Sequence, residues 1–174
     1  MATSQSIFIV MGVSGCGKTT MARLLARATG GTWLDADDFH TAESKAKMAA
    51  GIPLKDEDRW PWLDLLNRKL LAEDESHMPV FLACSTLKQK YRDRLIAGLP
   101  QARFIYLKGS FELIRSRLAG RKNHFMPAEL LESQFADLEE PRDAVVLDIS
   151  KTDEELLNDF ARMAGMSDRL PKHH

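Results

Sequence analysis

The stretch from Gly12 to Thr19, GVSGCGKT, constrains this chain more than any other. It fits G-x-x-x-x-G-K-[ST], a loop that cradles phosphates. Glycines let backbone N–H groups converge on phosphate oxygens with no side chain in the way. Such a loop needs a strand before it and a helix after it. Ile7 to Met11 is an unbroken apolar run, the pattern of a strand buried in a parallel sheet. Thr20 to Arg27 carries apolar residues at helical spacing. The first turn of that helix adds unpaired N–H groups and the positive end of its dipole. The loop therefore predicts a bound nucleoside triphosphate. Gly12, Val13, Ser14, Gly15, Cys16, Gly17 and Thr20 belong to its cradle. Lys18 is expected to reach the β- and γ-phosphates, and the Thr19 hydroxyl to bind Mg²⁺.

Strand and helix signals alternate along the rest of the chain. This predicts an α/β fold with a parallel sheet covered on both faces. Strands are expected over 7–11, 32–35, 79–84, 103–107 and 144–148. Helices are expected after the loop up to Gly30-Gly31, then over 42–50, 60–73, 87–98, 111–118, 128–138 and 153–163. Residues 52–58 read as a loop. Nothing resembling a linker divides the 174 residues, so they read as a single domain, 1–174. Basic and acidic residues number 24 and 25, a balance that gives no support for a nucleic-acid or membrane-surface protein. The two cysteines, Cys16 and Cys84, do not suggest a disulfide. With no signal peptide or membrane span, the expected location is the cytoplasm.

The chemistry must come from charged residues near the strand ends. Asp35 and Asp37 follow the second strand, and in an extended chain they face the same way. One could orient a water on Mg²⁺, and the other could take a hydroxyl proton from a phosphoryl acceptor. The alternative is that these acids cap the next helix, which suits Asp38 best. The third strand ends Ala83-Cys84-Ser85-Thr86 with no acid, and the chain lacks Asn-Lys-x-Asp. Both absences point away from nucleotide switches and towards small-molecule kinases.

Two groups of cations stand out. Lys88, Lys90, Arg92 and Arg94 fall on the helix after Ser85. Lys88 and Arg92, four apart, share a face and with Arg59 could grip an anionic substrate. A solvated basic face is the alternative, preferred for Lys90 and Arg94. Arg115, Arg117, Arg121 and Lys122 lie in or before a loop with Asn123 and His124. Such a loop could close over phosphates, with Arg117 and Arg121 delivered to the transferring group. His40 could touch substrate. Trp33, Trp60 and Trp62 read as core.

With these residues assembled, the sequence resembles the gluconokinase family of small P-loop kinases. The resemblance runs through the loop, then 34–40 (LDADDFH), 47–54, 56–63 (DEDRWPWL), 83–88 (ACSTLK), 91–93, 104–109, Arg117 with Arg121, and 134–141 (QFADLEEP). It implies ATP- and Mg²⁺-dependent phosphorylation of D-gluconate at its terminal hydroxyl, giving 6-phosphogluconate. It also implies a five-stranded, nucleoside-monophosphate-kinase-like fold, a lid over about 117–138, and a homodimer. Gluconate's carboxylate calls for Arg59, Lys88 or Arg92. Its hydroxyls call for Asp37, His40 and Ser85, and the resemblance places Gln134 with them. Asp37 is the expected base and Arg121 the cation brought to the phosphates. Family members commonly have His-Pro where this chain has His40-Thr41, a change expected to loosen the helix start. A shikimate-kinase-like or nucleotide kinase, or an ATP-binding module without turnover, would share the architecture.

Overall fold

The computed structural model describes residues 7–74, 77–121 and 127–170. Among them, β1 (Ile7–Met11), β2 (Thr32–Asp35), β3 (Val80–Ala83), β4 (Arg103–Lys108) and β5 (Ala144–Asp148) form one parallel sheet. Its order is β2-β3-β1-β4-β5. The helices are α1 (Lys18–Thr29), α2 (Ala42–Ala49), α3 (Asp56–Glu73), α4 (Gln89–Leu95), α5 (Phe111–Ala119), α6 (Ala128–Asp137) and α7 (Asp153–Ala164).

The apolar run of β1 has no alternation because both sheet faces are covered. Phe8 and Val10 join Leu25 of α1 and Phe160 of α7 on one face. Ile7, Ile9 and Met11 meet Leu63, Leu66 and Leu70 of α3 and Leu95 of α4 on the other. Phe8 stacks on Phe81 of β3 at 5.1 Å and meets Phe160 edge-on at 5.3 Å. Burying one such side chain contributes about 1.5–3 kcal/mol. The central strand is therefore fixed from both sides, and the loop after Met11 starts from a rigid point.

Several boundaries differ from the sequence reading. Helix α3 begins at Asp56, inside the stretch read as loop, because Asp58 folds back to accept the Lys55 N–H at 2.9 Å. Pro61 consequently lies within the helix. Helix α4 is shorter than expected. Thr86 has a φ of +36°, a conformation a β-branched residue rarely adopts, and it delays the helix until after Lys88. Trp33, read as core, is 40% exposed on the edge strand, with Arg23 lying 5.6 Å over its ring. The start of α2 is fastened, not loosened. The Thr41 side chain accepts the Ser44 N–H at 3.0 Å, a cap that proline could not provide. Cys16 and Cys84 are both free and buried.

Candidate active site

The phosphate loop surrounds a cleft of ≈ 510 Å³ at the end of β1. Its tight turn depends on Gly12 and Gly15. A Cβ on Gly12, at φ +149°, would stand 2.6 Å from Cys16 Sγ; one on Gly15, at φ +84°, would stand 2.7 Å from Leu118. The Cys16 thiol is turned under the loop, and burial pushes its pKa up. Val13 is likewise buried. These two residues can therefore offer a ligand only their backbone. Lys18 Nζ folds across the loop and donates to the carbonyls of Gly12 and Val13 at 3.1 and 3.2 Å. Thr20 and Arg121 complete the rim.

Arg117 is not brought there. Its guanidinium donates to the Ile149 carbonyl and supports the turn after β5. The expectation that Arg117 acts beside Arg121 is corrected on this point. Lys122, Asn123 and His124 lie outside the described residues.

Asp35 and Asp37 both line the cleft, although not as an extended pair. Ala36–Phe39 forms a 3₁₀ turn, and Asp35 caps it by accepting the Asp37 N–H at 3.0 Å. Capping thus falls to Asp35 and Thr41 rather than to Asp38. The other Asp35 oxygen accepts the Thr19 hydroxyl at 2.9 Å. A hydroxyl and a carboxylate are hard oxygen donors suited to Mg²⁺. Among the described residues no three His, Cys, Asp or Glu side chains converge, so Thr19 and Asp35 would supply only part of a shell. That fits a metal that keeps several waters and shares phosphate oxygens.

The walls of the cleft, and after them the charge of Asp35, hold the Asp37 carboxyl above its ordinary range. Its side chain is nonetheless 83% exposed, so water and ligands reach it. His40 Nε2 lies 3.7 Å from Asp37, and the ring stacks on Trp62 at 4.1 Å. Burial lowers the His40 pKa and favours neutral imidazole. Its Nδ1 is buried without a partner.

A second cleft of ≈ 680 Å³ adjoins the first. Ser14, Asp37 and Ser85 line both. Arg59, Lys88, His40 and Gln134 line the second alone. Arg59 is held in place: it donates to the Tyr91 hydroxyl at 3.0 Å, which donates to Asp56 at 2.6 Å. Lys88 precedes α4 and lies 3.9 Å from Asp137.

Arg92 does not share this face and is absent from the lining. It is 1% exposed and donates to the carbonyls of Thr86, Leu87 and Glu139 at 2.8, 3.1 and 2.7 Å. Its place among carboxylate-binding cations is corrected: every donor direction that could face a ligand is committed to the chain. Lys90 and Arg94, read as a solvated face, pair with Asp56 and Asp64 of α3. Tyr91, Asp56 and Thr86 were assigned no role from the sequence. The one sign of the Tyr91–Asp56 pair was an acidic segment matched with a basic one further along.

Fold, loop and paired clefts together define a P-loop small-molecule kinase. A family model described as an AAA domain matches residues 7–165. A protein named "Probable gluconokinase" from Mus musculus is 47% identical over 152 residues, covering 78% of this chain and 83% of its own. The thermosensitive gluconokinase of Escherichia coli (strain K12) is 44% identical over 147 residues, covering 82% and 79%. A solved gluconokinase from Sinorhizobium meliloti 1021 superposes with a TM-score of 0.81 at 37% identity, covering 97% of this chain and 94% of its own. The chain belongs to the gluconokinase family, and it is a phosphotransferase. Among the described residues, no helix is long and apolar enough to cross a membrane.

Proposed function

We infer that this protein transfers the γ-phosphoryl group of ATP to the terminal hydroxyl of D-gluconate, giving 6-phosphogluconate. One observation carries the reading: the phosphate cleft and a cation-lined cleft meet at Ser14, Asp37 and Ser85. A triphosphate tail in the first would point its last phosphate at an alcohol held in the second. Relatives named gluconokinase at 44–47% identity supply the identity of that alcohol.

The residues divide the work. Backbone N–H groups from Gly12 to Thr19 hold the phosphates. Lys18 leaves its two carbonyl partners to pair with them, and Arg121 faces them from the rim. Thr19 and Asp35 would hold Mg²⁺ that arrives with the nucleotide; that ion supplies charge neutralisation at the phosphates. Arg59, kept in register by Tyr91 and Asp56, pairs with the substrate carboxylate, and Lys88 adds a second cation. His40, Ser85 and Gln134 meet the hydroxyls. The terminal oxygen then attacks phosphorus in line. Its proton passes to Asp37, the new O–P bond forms, and the bond to the β-phosphate oxygen breaks to release ADP.

Within the stretch read as a lid, α6 lies against the loop through Gln134. A homodimer in the cytoplasm completes the reading, and light scattering tests the subunit count. The deciding assay follows ADP release with gluconate, glucose, shikimate or no acceptor. Gluconate-dependent release supports the proposal. Release with shikimate alone, or ATP binding with no acceptor-dependent release, replaces it.

A further inference from the structure

Gln134 reaches the phosphate loop from the far end of the chain. Its Oε1 accepts the Ser14 backbone N–H at 2.7 Å, and its Nε2 donates to Ser14 Oγ at 2.9 Å. A backbone N–H can only donate, so the amide must turn its oxygen there, leaving its NH₂ for the hydroxyl. The two bonds fix the amide's orientation as well as its place. Each end belongs to a different part of the site. Ser14 stands where the two clefts meet, whereas Gln134 lines only the second, beside Ser133 and Asp137 of the same helix. Helix α6 is itself anchored. Phe135 meets Phe111 of α5 edge-on at 5.6 Å, and just past the helix the Glu139 N–H donates to the Leu87 carbonyl at 2.8 Å.

We propose that Gln134 is a positioning residue that couples the acceptor cleft to the phosphate loop. The inference rests on the reading that nucleotide fills the first cleft and a sugar acid the second. While Gln134 holds the Ser14 N–H, that donor is withheld from a phosphate oxygen. Hydroxyls of an arriving sugar acid compete for the same amide. When they take it, the Ser14 N–H is released and turns to the triphosphate. Each ligand therefore strengthens binding of the other, by the same factor in both directions.

The test is calorimetric titration of a non-hydrolysable ATP analogue with Mg²⁺, with and without saturating gluconate. In the unaltered protein gluconate should tighten the analogue by about 5- to 50-fold, within the range of measured couplings. In Gln134→Ala that ratio should fall to about one, with the analogue bound at least as tightly in the absence of gluconate as before. Gln134→Glu can still accept both the N–H and the O–H of Ser14. It should keep most of the ratio while weakening the analogue throughout, because its charge faces the phosphates. Should Gln134→Ala fail to fold, Ser14→Ala removes only the hydroxyl bond and should give an intermediate ratio. A ratio of one in the unaltered protein overturns the coupling, as does an undiminished ratio in Gln134→Ala or Ser14→Ala. Loss of the ratio in Gln134→Glu as complete as in Gln134→Ala also overturns it. Absent gluconate-dependent ADP release from the unaltered protein would instead count against the functional reading beneath it.

Discussion

The two clefts are built in opposite ways. The phosphate cleft is centred on one continuous piece of chain, the glycine-rich turn and the first turn of α1, with Asp35, Asp37, residues 83–85, Leu118 and Arg121 around it. The acceptor cleft is gathered from residues near 40, 59, 88 and 134. In the first, glycine geometry sets where the backbone groups of the loop stand. In the second, the polar side chains are held by neighbours: Tyr91 and Asp56 for Arg59, Trp62 for His40. A site made of backbone tolerates side-chain change around it. One made of propped side chains does not.

The sharpest way to break this contrast is at Asp37, one of the three residues both clefts share. Asp37→Asn should lower kcat by about 10²–10⁴-fold, the range for loss of a general base, while leaving ATP-analogue affinity nearly unchanged. Near-normal turnover would remove Asp37 from that role. Lys18→Ala should cost about 10²–10³-fold in kcat/KM, comparable to losing one transition-state donor, with the KM for gluconate spared. A selective rise in that KM would blur the division between clefts. Arg59→Ala should do the reverse. Losing a charge-assisted pair worth about 1.5–3 kcal/mol should raise the KM for gluconate roughly 10- to 150-fold and leave that for ATP alone.

Arg92→Met sharpens the same contrast through stability. It strips partners from three carbonyls and should destabilise the fold by about 2–3 kcal/mol, seen as a lower denaturant midpoint, with both KM values steady in the folded fraction. The smallest effect is in the pH profile. Asp37 acts as a base only when ionised, and its raised pKa keeps the proton on to higher pH. Activity should therefore fall on acidification with a midpoint above the ordinary aspartate value of about 3.9. A midpoint at or below that value would mean another group takes the proton.

What could be read from the sequence follows the same division. Gly12 to Thr19 announces its strand, turn and helix because the chemistry constrains neighbouring positions. Arg59 and Arg92 look alike as letters, yet one faces the cleft and the other is sealed inside. Nothing local separates them. The difference lies in which carbonyls the fold leaves unpaired beside each. Asp35 and Asp37 were placed correctly at the strand end, but the extended geometry did not persist past Asp35, whose own carboxylate bends the chain. Thr41 was misjudged because a missing proline hid a gained cap. The segment 134–141 stood among the stretches of the resemblance without its reason. In space Gln134 bonds the loop, the Glu139 carbonyl receives Arg92, and Glu140 meets Tyr106 and Lys108.

The strand order carries a consequence for descent. The phosphate loop follows the innermost strand, β1, while Asp37, the base in the proposed reaction, follows β2 at one edge of the sheet. Mutations at that margin can redraw which alcohol is admitted without disturbing the machinery at the centre. Lineages of such enzymes should therefore drift apart in diet long before they drift apart in fuel.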